Sequence, residues 1–487
     1  MALFPLPALL FIVLVAEELC PPVAAQNPPL PAAEFRAAWV ATVVNIDWPS
    51  RPSLPAATAK AELLAIVERA AQLRLNALIF QCRSAGDAFY QSSLEPWSEW
   101  LSGVQGKPPD GAWDPLQFLV EKAHARGIEV HAWFNPFRAR SESARSPEAE
   151  NHVLVVQPSA CVRYGEQMWM DPGDSRSIDW ILRVVADVVR RYDIDGVHFD
   201  DYFYPYPAKK LAFADDRSFR RYQDASGGLG RSDWRRANID IFLRRLYADI
   251  HQLKPAIKLG ISPFGIARPS VPRGIQAGID QYEELAADVL SWQRKGLCDY
   301  LSPQLYWPID QRAQSYSILL PWWFGQNPRQ RHMWPGLNAS RAEKQIAPWR
   351  KDELPQQIKM IRSQGPDPGY VLYSFQALRG QLGEQIVSMN REPAVVPASP
   401  WLPGRAPDAP VINLERTKRG TTLSWLAKPD CRWFCVQVQR GRRWQTLAMR
   451  GAGAGAIMLP DDVTAAAVRG LAANGLVGNA AVLYPNL

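Results

Sequence analysis

Between Pro31 and about Pro393, short apolar runs alternate with stretches in which apolar residues recur every three or four positions. The runs predict strands at 37–45, 76–83, 129–135, 196–201, 258–263, 300–306, 333–337 and 370–375. The stretches between them read as amphipathic helices. Asp114 caps one with Pro115 at its first position, Leu116, Leu119 and Ala123 on one face, and Gly127 past its end. Ile178, Ile181, Leu182, Val185 and Val189 mark a second, and Ile239, Phe242, Leu243, Leu246 and Ile250 a third. Ile358 and Ile361, followed by Gly365, mark a fourth before the last strand. Strand–helix alternation predicts an α/β fold with a parallel sheet. Eight such strands predict a closed (β/α)8 TIM-type barrel over 31–392. The alternative, an open doubly wound sheet, lacks a glycine-rich phosphate loop after the first strand.

The pattern then changes. Six prolines between Pro393 and Pro410 predict a linker, and 411–487 reads as short strands. Thr421 to Trp425, Phe434 to Gln439 and a late strand beginning at Ala465, with Gly441 as a turn, predict a small all-β sandwich. A chain of 487 residues accommodates this barrel plus a module. At the other end, an apolar run from Ala8 to Ala16 precedes the small residues Val23, Ala24 and Ala25, which predicts an exported protein with a signal peptide over 1–25. Glu17, Glu18 and Leu19 before Cys20 lack the small residues of a lipid-attachment site, so the expected place is periplasm or cell envelope without a lipid anchor. No later stretch reads as a transmembrane segment. Five cysteines remain after the leader with no CxxC pair, which argues against a zinc ribbon; Cys431 and Cys435 are too close along one strand to bridge well.

A net charge of +7 fits attraction to an anionic polymer, but the basic residues are dispersed and no stripe interleaved with aromatics predicts nucleic-acid binding. Nineteen tryptophans serve either core packing or a cleft with flat platforms for sugar rings.

In a parallel barrel, working residues gather at the C-terminal strand ends. Here those ends carry Asn45, Asp47, Trp48, Gln81, Arg83, Asp87, Trp133, Asn135, Arg138, His198, Asp200, Asp201, Tyr204, Gln304, Tyr306, Trp307, Asn338, Ser374 and Gln376. The sharpest segment is DIDGVHFDDYFYP from Asp193 to Pro205, an apolar strand that ends in two adjacent carboxylates. Glycosidic cleavage needs one carboxylate as nucleophile or base and a second group as acid. Asp200, in phase with His198, is expected to be the nucleophile or base and Asp201 its support. The spacing approaches the chitinase-type signature Asp-Gly-x-Asp-x-Asp-x-Glu, but Tyr202 stands where the acid Glu would be, which argues against that signature's own chemistry. Asp87, Asp171, Asp47 and Asp310 are candidates for the acid. His131, His198 and His332 raise metal-dependent hydrolysis as a rival, but they do not gather at the strand ends; buried hydrogen-bonded roles, and no metal or cofactor, are expected. No Gly-x-Ser-x-Gly elbow supports a serine hydrolase.

The stretch EFRAAWVATVVNIDWP from Glu34 to Pro49, NPFR from Asn135, WMDPG from Trp169, DGVHFDDYFYP from Asp195 and SPQLYW from Ser302 together resemble a bacterial glycosyl-hydrolase-like family once classed as a domain of unknown function. The resemblance spans about 33–387, and the tail resembles a fibronectin type III-like module. It implies a barrel with an Asp at work after the fourth strand, Asp200 or Asp201, and action on peptidoglycan glycan strands, some members cutting strands stripped of stem peptides.

The expectation is therefore an exported O-glycosidase acting on a polysaccharide. Arg36, Asn45, Arg83, Asn135, Arg138, His198 and Gln304 would position the sugar, and Trp48, Trp133, Tyr204, Tyr306 and Trp307 would line its subsites. Arg83 and Arg138 are also suited to the lactyl carboxylate of muramic acid. A glycan-binding protein on an inactive barrel and a metal-dependent deacetylase or amidase are the rival classes. Oligomeric state is not legible.

Overall fold

The computed structural model describes residues 27–208, 211–345, 349–426, 428–453 and 455–484, so the expected leader lies outside the described residues. A parallel sheet runs through strands β1 (Phe35–Val40), β2 (Ala77–Arg83), β3 (Glu129–Phe134), β4 (Gly196–Phe199), β5 (Lys258–Ile261), β6 (Tyr300–Leu301), β7 in two pieces (His332–Met333 and Gly336–Asn338) and β8 (Gly369–Tyr373). The two pieces of β7 stand at opposite ends of the strand order, the first paired with β6 and the second with β8. Only Trp334 and Pro335 separate them, so the sheet curls back on itself as a barrel. The predicted strands overran at their C-terminal ends: β1 stops at Val40, β4 at Phe199 and β6 at Leu301. The residues beyond turn into loops over the barrel mouth.

The period-two pattern sorts side chains into two layers. Phe35, Ala37, Trp39, Ala77, Ile79, Trp133, Tyr300 and Val371 form an inner cluster. Ala38, Val40, Leu78, Phe80, Val130, Ala132, Val197 and Phe199 face the helices instead. The four helices expected from periodicity are Pro115–Ala125, Ser175–Arg191, Arg231–Leu253 and Glu353–Arg362, and Asp114 accepts the Gln117 N–H at 3.0 Å as their first cap. Glycine at two inward positions admits large rings: a Cβ on Gly196 would lie 2.6 Å from His131, and one on Gly260 1.9 Å from Tyr300.

A polar column fills the lower barrel. Glu129 pairs with Lys258 at 2.9 Å and with His131 at 3.0 Å. The His131 ring meets the Tyr300 hydroxyl at 2.8 Å, and that hydroxyl meets His198 at 2.9 Å. His198 Nε2 takes the Trp39 indole N–H and contacts Ser262 Oγ, both at 3.1 Å. His332 packs on Trp334 and meets Ser399 Oγ at 3.1 Å.

The tail forms a small β-sandwich. One sheet holds Ile412–Thr417, Gly420–Trp425 and Ala456–Met458, and the other Arg443–Gly451, Trp433–Arg440, Ala465–Leu471 and Val477–Leu483. Leu423, Trp425, Phe434, Val436 and Val468 pack between them. The sandwich sits on the N-terminal end of the barrel. Arg432 clamps Asp193 at 2.6 Å and Asp195 at 2.7 Å, just before β4, and Trp433 meets the His124 ring edge-on at 5.1 Å. Cys431 and Cys435 are both free thiols, as are Cys82, Cys161 and Cys298. No helix among the described residues is long and apolar enough to cross a membrane.

Candidate active site

Inward-facing positions at the C-terminal ends of the strands enclose a cavity of about 270 Å³. Its walls are Trp39 from β1, Gln81 from β2, Trp133 from β3, Asp200 and Asp201 after β4, Ser262 after β5, Gln304 and Tyr306 after β6, and Tyr373 from β8. Arg138, Tyr202 and Tyr206 complete it and also border an adjoining groove of about 200 Å³. That groove runs beneath a three-stranded antiparallel flap (Arg138–Arg140, Cys161–Tyr164, Gln167–Met170) and is lined by Tyr164 and Trp169. A larger groove of about 850 Å³ on the outer face of the helices, bordered by Asp179, Arg183, Asp187 and Arg245, meets none of these strand ends.

Because β4 ends at Phe199, Asp200 and Asp201 escape strict alternation and both reach the cavity. Asp200 Oδ2 accepts the Asn135 amide N–H and, at 3.3 Å, the Trp133 indole N–H. Its Oδ1 is buried and takes no hydrogen bond from the described residues. Burial, and then the neighbouring Asp201 charge, push the Asp200 carboxyl up to about 7, against the pull of Arg138 and its hydrogen bonds. Asp201 accepts the Tyr206 hydroxyl, and burial pushes it up to about 6. Two adjacent carboxyls that titrate near neutrality hold one proton between them over part of that range, which is what acid–base chemistry on one bond requires.

Asn135 also donates to Tyr202 Oη at 2.7 Å and accepts from Gln81 Nε2 at 2.7 Å, so it orients the pair from below. Arg138 donates to the Ser84 carbonyl at 2.9 and 3.0 Å and lies 5.1 Å over the Tyr202 ring. Among the described residues it meets no carboxylate at ion-pair distance, which leaves a cation at the junction of cavity and groove.

The other expected residues lie elsewhere. Arg36 is at the opposite end of the barrel, bound to Glu34 at 2.6 Å and to the Glu392 carbonyl at 2.7 Å, which corrects its expected role as a sugar contact. Arg83 is completely buried in a double contact with Glu95, 2.7 Å on each side, and is a structural ion pair. Trp48 is a core residue whose indole donates to the Ala59 carbonyl at 3.1 Å. Tyr204 is buried edge-on against Phe213, and Trp307 packs on Phe264. Asn45 ties loops by donating to the Pro49 and Trp100 carbonyls. His198 belongs to the column under the cavity.

The acid candidates separate in the same way. Asp87 is buried beside Ser84 and accepts the Ala85 N–H, and Asp171 binds the Gly173 N–H and Ser218; burial pushes both up to about 6, but neither lines the cavity. Asp47 accepts from Ala41, Ser374 and Gln376 within 2.9 Å, and Asp310 pairs with Arg350 at the surface. Trp39, Ser262 and Tyr373 are wall residues the strand-end reading passed over; each is in phase with an inward neighbour on its strand. Tyr206 carries no such signal.

A parallel barrel with a buried carboxylate pair in an aromatic cavity at its C-terminal mouth is the architecture of glycoside hydrolase-type barrels. The family model described as Glycosyl hydrolase-like 10 matches residues 34–352, and the chain belongs to that family. It is 35% identical over 434 residues to "Glycosyl hydrolase YngK" of Bacillus subtilis, covering 85% of this chain and 84% of that protein. It is also 35% identical over 331 residues to "Glycosyl hydrolase DigH" of Escherichia coli K12, covering 63% of this chain and 74% of the relative. Among solved structures, the glycoside hydrolase domain of PgaB from Bordetella bronchiseptica aligns with a TM-score of 0.47 at 12% identity, over 74% of this chain and 99% of that one.

Proposed function

We propose that the chain is an exported glycosidase that hydrolyses O-glycosidic bonds of a cell-envelope polysaccharide, foremost the glycan strands of peptidoglycan. The observation that carries this reading is the Asp200–Asp201 pair, both buried, both facing one cavity and both shifted toward neutrality. Membership of a glycosyl hydrolase-like family supports the reaction class. Trp133, Tyr306 and Tyr373 offer apolar faces to a sugar ring, and the groove under the flap continues the cleft as a polymer requires. Arg138, with no carboxylate partner among the described residues, suits the lactyl carboxylate that distinguishes muramic acid from glucosamine.

The test is incubation of residues 26–487 with glycan strands carrying or lacking stem peptides, followed by mass analysis of the products. New reducing ends, lost in Asp200→Asn or Asp201→Asn, are expected. Saturable binding of strands with no new ends in the wild-type protein would instead establish a glycan-binding barrel.

A further inference from the structure

A glycosidase that uses its own nucleophile or base needs two carboxyls flanking the scissile bond, about 5–5.5 Å apart for retention and about 6.5–9.5 Å for inversion. Asp200 and Asp201 are consecutive, so their Cα atoms are about 3.8 Å apart and both side chains rise from the same wall. β8 lies four strands round the ring from β4, and it presents Tyr373, stacked on Tyr306 at 5.9 Å. No third carboxylate lines the cavity among the described residues. Glu142 and Glu166 are exposed on the adjoining groove, and Asp47 is saturated with three donors. Among the described residues the wall opposite the pair thus supplies no carboxylate as nucleophile or as base for water, and burial pushes the Tyr373 hydroxyl up, away from the phenolate that a Tyr nucleophile needs.

We infer that the substrate supplies the nucleophile: the site acts on 2-acetamido sugars, with Asp200 receiving the acetamido N–H, the acetamido carbonyl oxygen attacking the anomeric carbon, and Asp201 serving as general acid. This rests on the glycosidase reading above and names its substrate class and its division of labour. Asp200 is suited to the amide because Oδ2 already takes two N–H donors while Oδ1 has none. Asp201 accepts the Tyr206 hydroxyl, and Tyr206 borders the groove, so the leaving sugar is assigned to that side. Asp200 stands in the chitinase-type spacing at the Asp two places before the acid position; that position is Tyr202 here, so the acid must come from elsewhere, and Asp201 is the other carboxyl in the cavity.

The steps balance. The acetamido N–H, donated to Asp200, favours that carboxyl in its ionised form and leaves the pair's one proton on Asp201. That proton passes to the glycosidic oxygen as the bond from that oxygen to C1 breaks and the acetamido oxygen bonds to C1. The resulting oxazolinium charge is held by Asp200 at the N–H. Water then adds to C1, giving a proton to Asp201, and the bond from C1 to the acetamido oxygen breaks. The acetamide is restored and the anomeric configuration is retained.

The experiment compares glycan strands that are N-acetylated, N-deacetylated, or re-acylated with trifluoroacetyl groups, with product anomers read by proton NMR. Expected are retained products, no cutting of deacetylated strands, and a lower kcat on trifluoroacetyl strands because fluorine weakens the carbonyl nucleophile. Asp201→Asn should lose roughly 10²–10⁴-fold on strands but keep most of its rate on aryl glycosides, whose leaving group needs no proton. Asp200→Asn should lose both. Inverted products, or an undiminished kcat on trifluoroacetyl strands, would overturn the inference and leave the glycosidase reading standing. A wild-type protein that cuts none of the three strands would reject that reading, and the inference with it.

Discussion

Replacing Asp200 with Asn should remove activity and, at neutral pH, stabilise the fold. Asp200 is 6% exposed, and its carboxyl is pushed from the ordinary 3.8 to about 7. A carboxyl whose folded-state value is raised binds its proton more tightly folded than unfolded. Its penalty is therefore absent below about pH 4, grows as pH rises, and is complete above about 7. At about 1.4 kcal/mol per unit, the span from 3.8 to about 7 corresponds to roughly 4 kcal/mol. Asn carries no charge, so the variant escapes this penalty. Its amide must still fit beside the Asn135 and Trp133 donors, an effect that does not vary with pH. The quantity to measure is thus the difference between variant and wild type at pH 8 minus that at pH 4, which should favour the variant by about 4 kcal/mol. In thermal unfolding of a barrel this size that is a relative gain on the order of 5 °C. Equal differences at the two pH values would refute the reasoning, because they would mean that Asp200 ionises in the fold as it does in the unfolded chain.

Three further outcomes can be checked. The pair should give a bell-shaped kcat/KM profile on glycan strands, with limbs near 6 and 7, because the singly protonated pair is the working form and is lost on either side. Arg138→Met should raise KM on strands containing muramic acid about 10- to 100-fold more than on chitin oligosaccharides, which lack the lactyl group, the worth of a charged hydrogen bond; a loss through the charge on Asp200 is common to both. Arg432→Ala should destabilise the protein by about 3 kcal/mol, because Asp195, which Arg432 and His124 hold well below the usual carboxylate range, loses its guanidinium and keeps only His124 and the Val130 N–H; kcat should not change, since this contact is at the far end of the barrel. Chemical denaturation and steady-state kinetics on one preparation test both halves of that statement.

The barrel was legible because strands and helices have different periods, and the two layers of β1 to β3 follow the alternation residue by residue. The site was half legible. Trp133, Asp200 and Gln304 are in phase with inward neighbours and face the cavity. Asn45, Trp48 and Trp307 stand near strand ends in the sequence, but they fall where the chain has already turned into loops that pack on themselves. Carrying the inward phase up each strand finds Trp39 and Tyr373 as well. It cannot find Asp201 or Tyr206, because both depend on β4 ending at Phe199, and nothing local marks that stop. Arg36 and Arg83 show a different limit. An arginine beside a strand reads alike whether it faces substrate or a buried glutamate, and Glu34 and Glu95 become partners only through the fold.

Burial raises the pair toward neutrality, and the column beneath the cavity does not oppose it. His198 accepts the Trp39 N–H at Nε2, so its proton is on Nδ1 and points to the Tyr300 hydroxyl. That hydroxyl must then donate to His131 Nδ1, and His131 gives its Nε2 proton to Glu129, whose charge is met by Lys258. Every ring nitrogen of the column has a hydrogen-bond partner in this arrangement. Burial reinforces this by holding His198 well below the usual histidine range. A cationic His198 under the cavity floor would draw Asp200 back toward an ordinary carboxylate and remove its share of the pair's proton. Burial, the adjacent Asp201 and Arg138 set the charge on Asp200, and a neutral His198 beneath the floor leaves that balance undisturbed. With the sandwich fastened at Asp193 and Asp195, on the opposite end, that balance owes nothing to the tail.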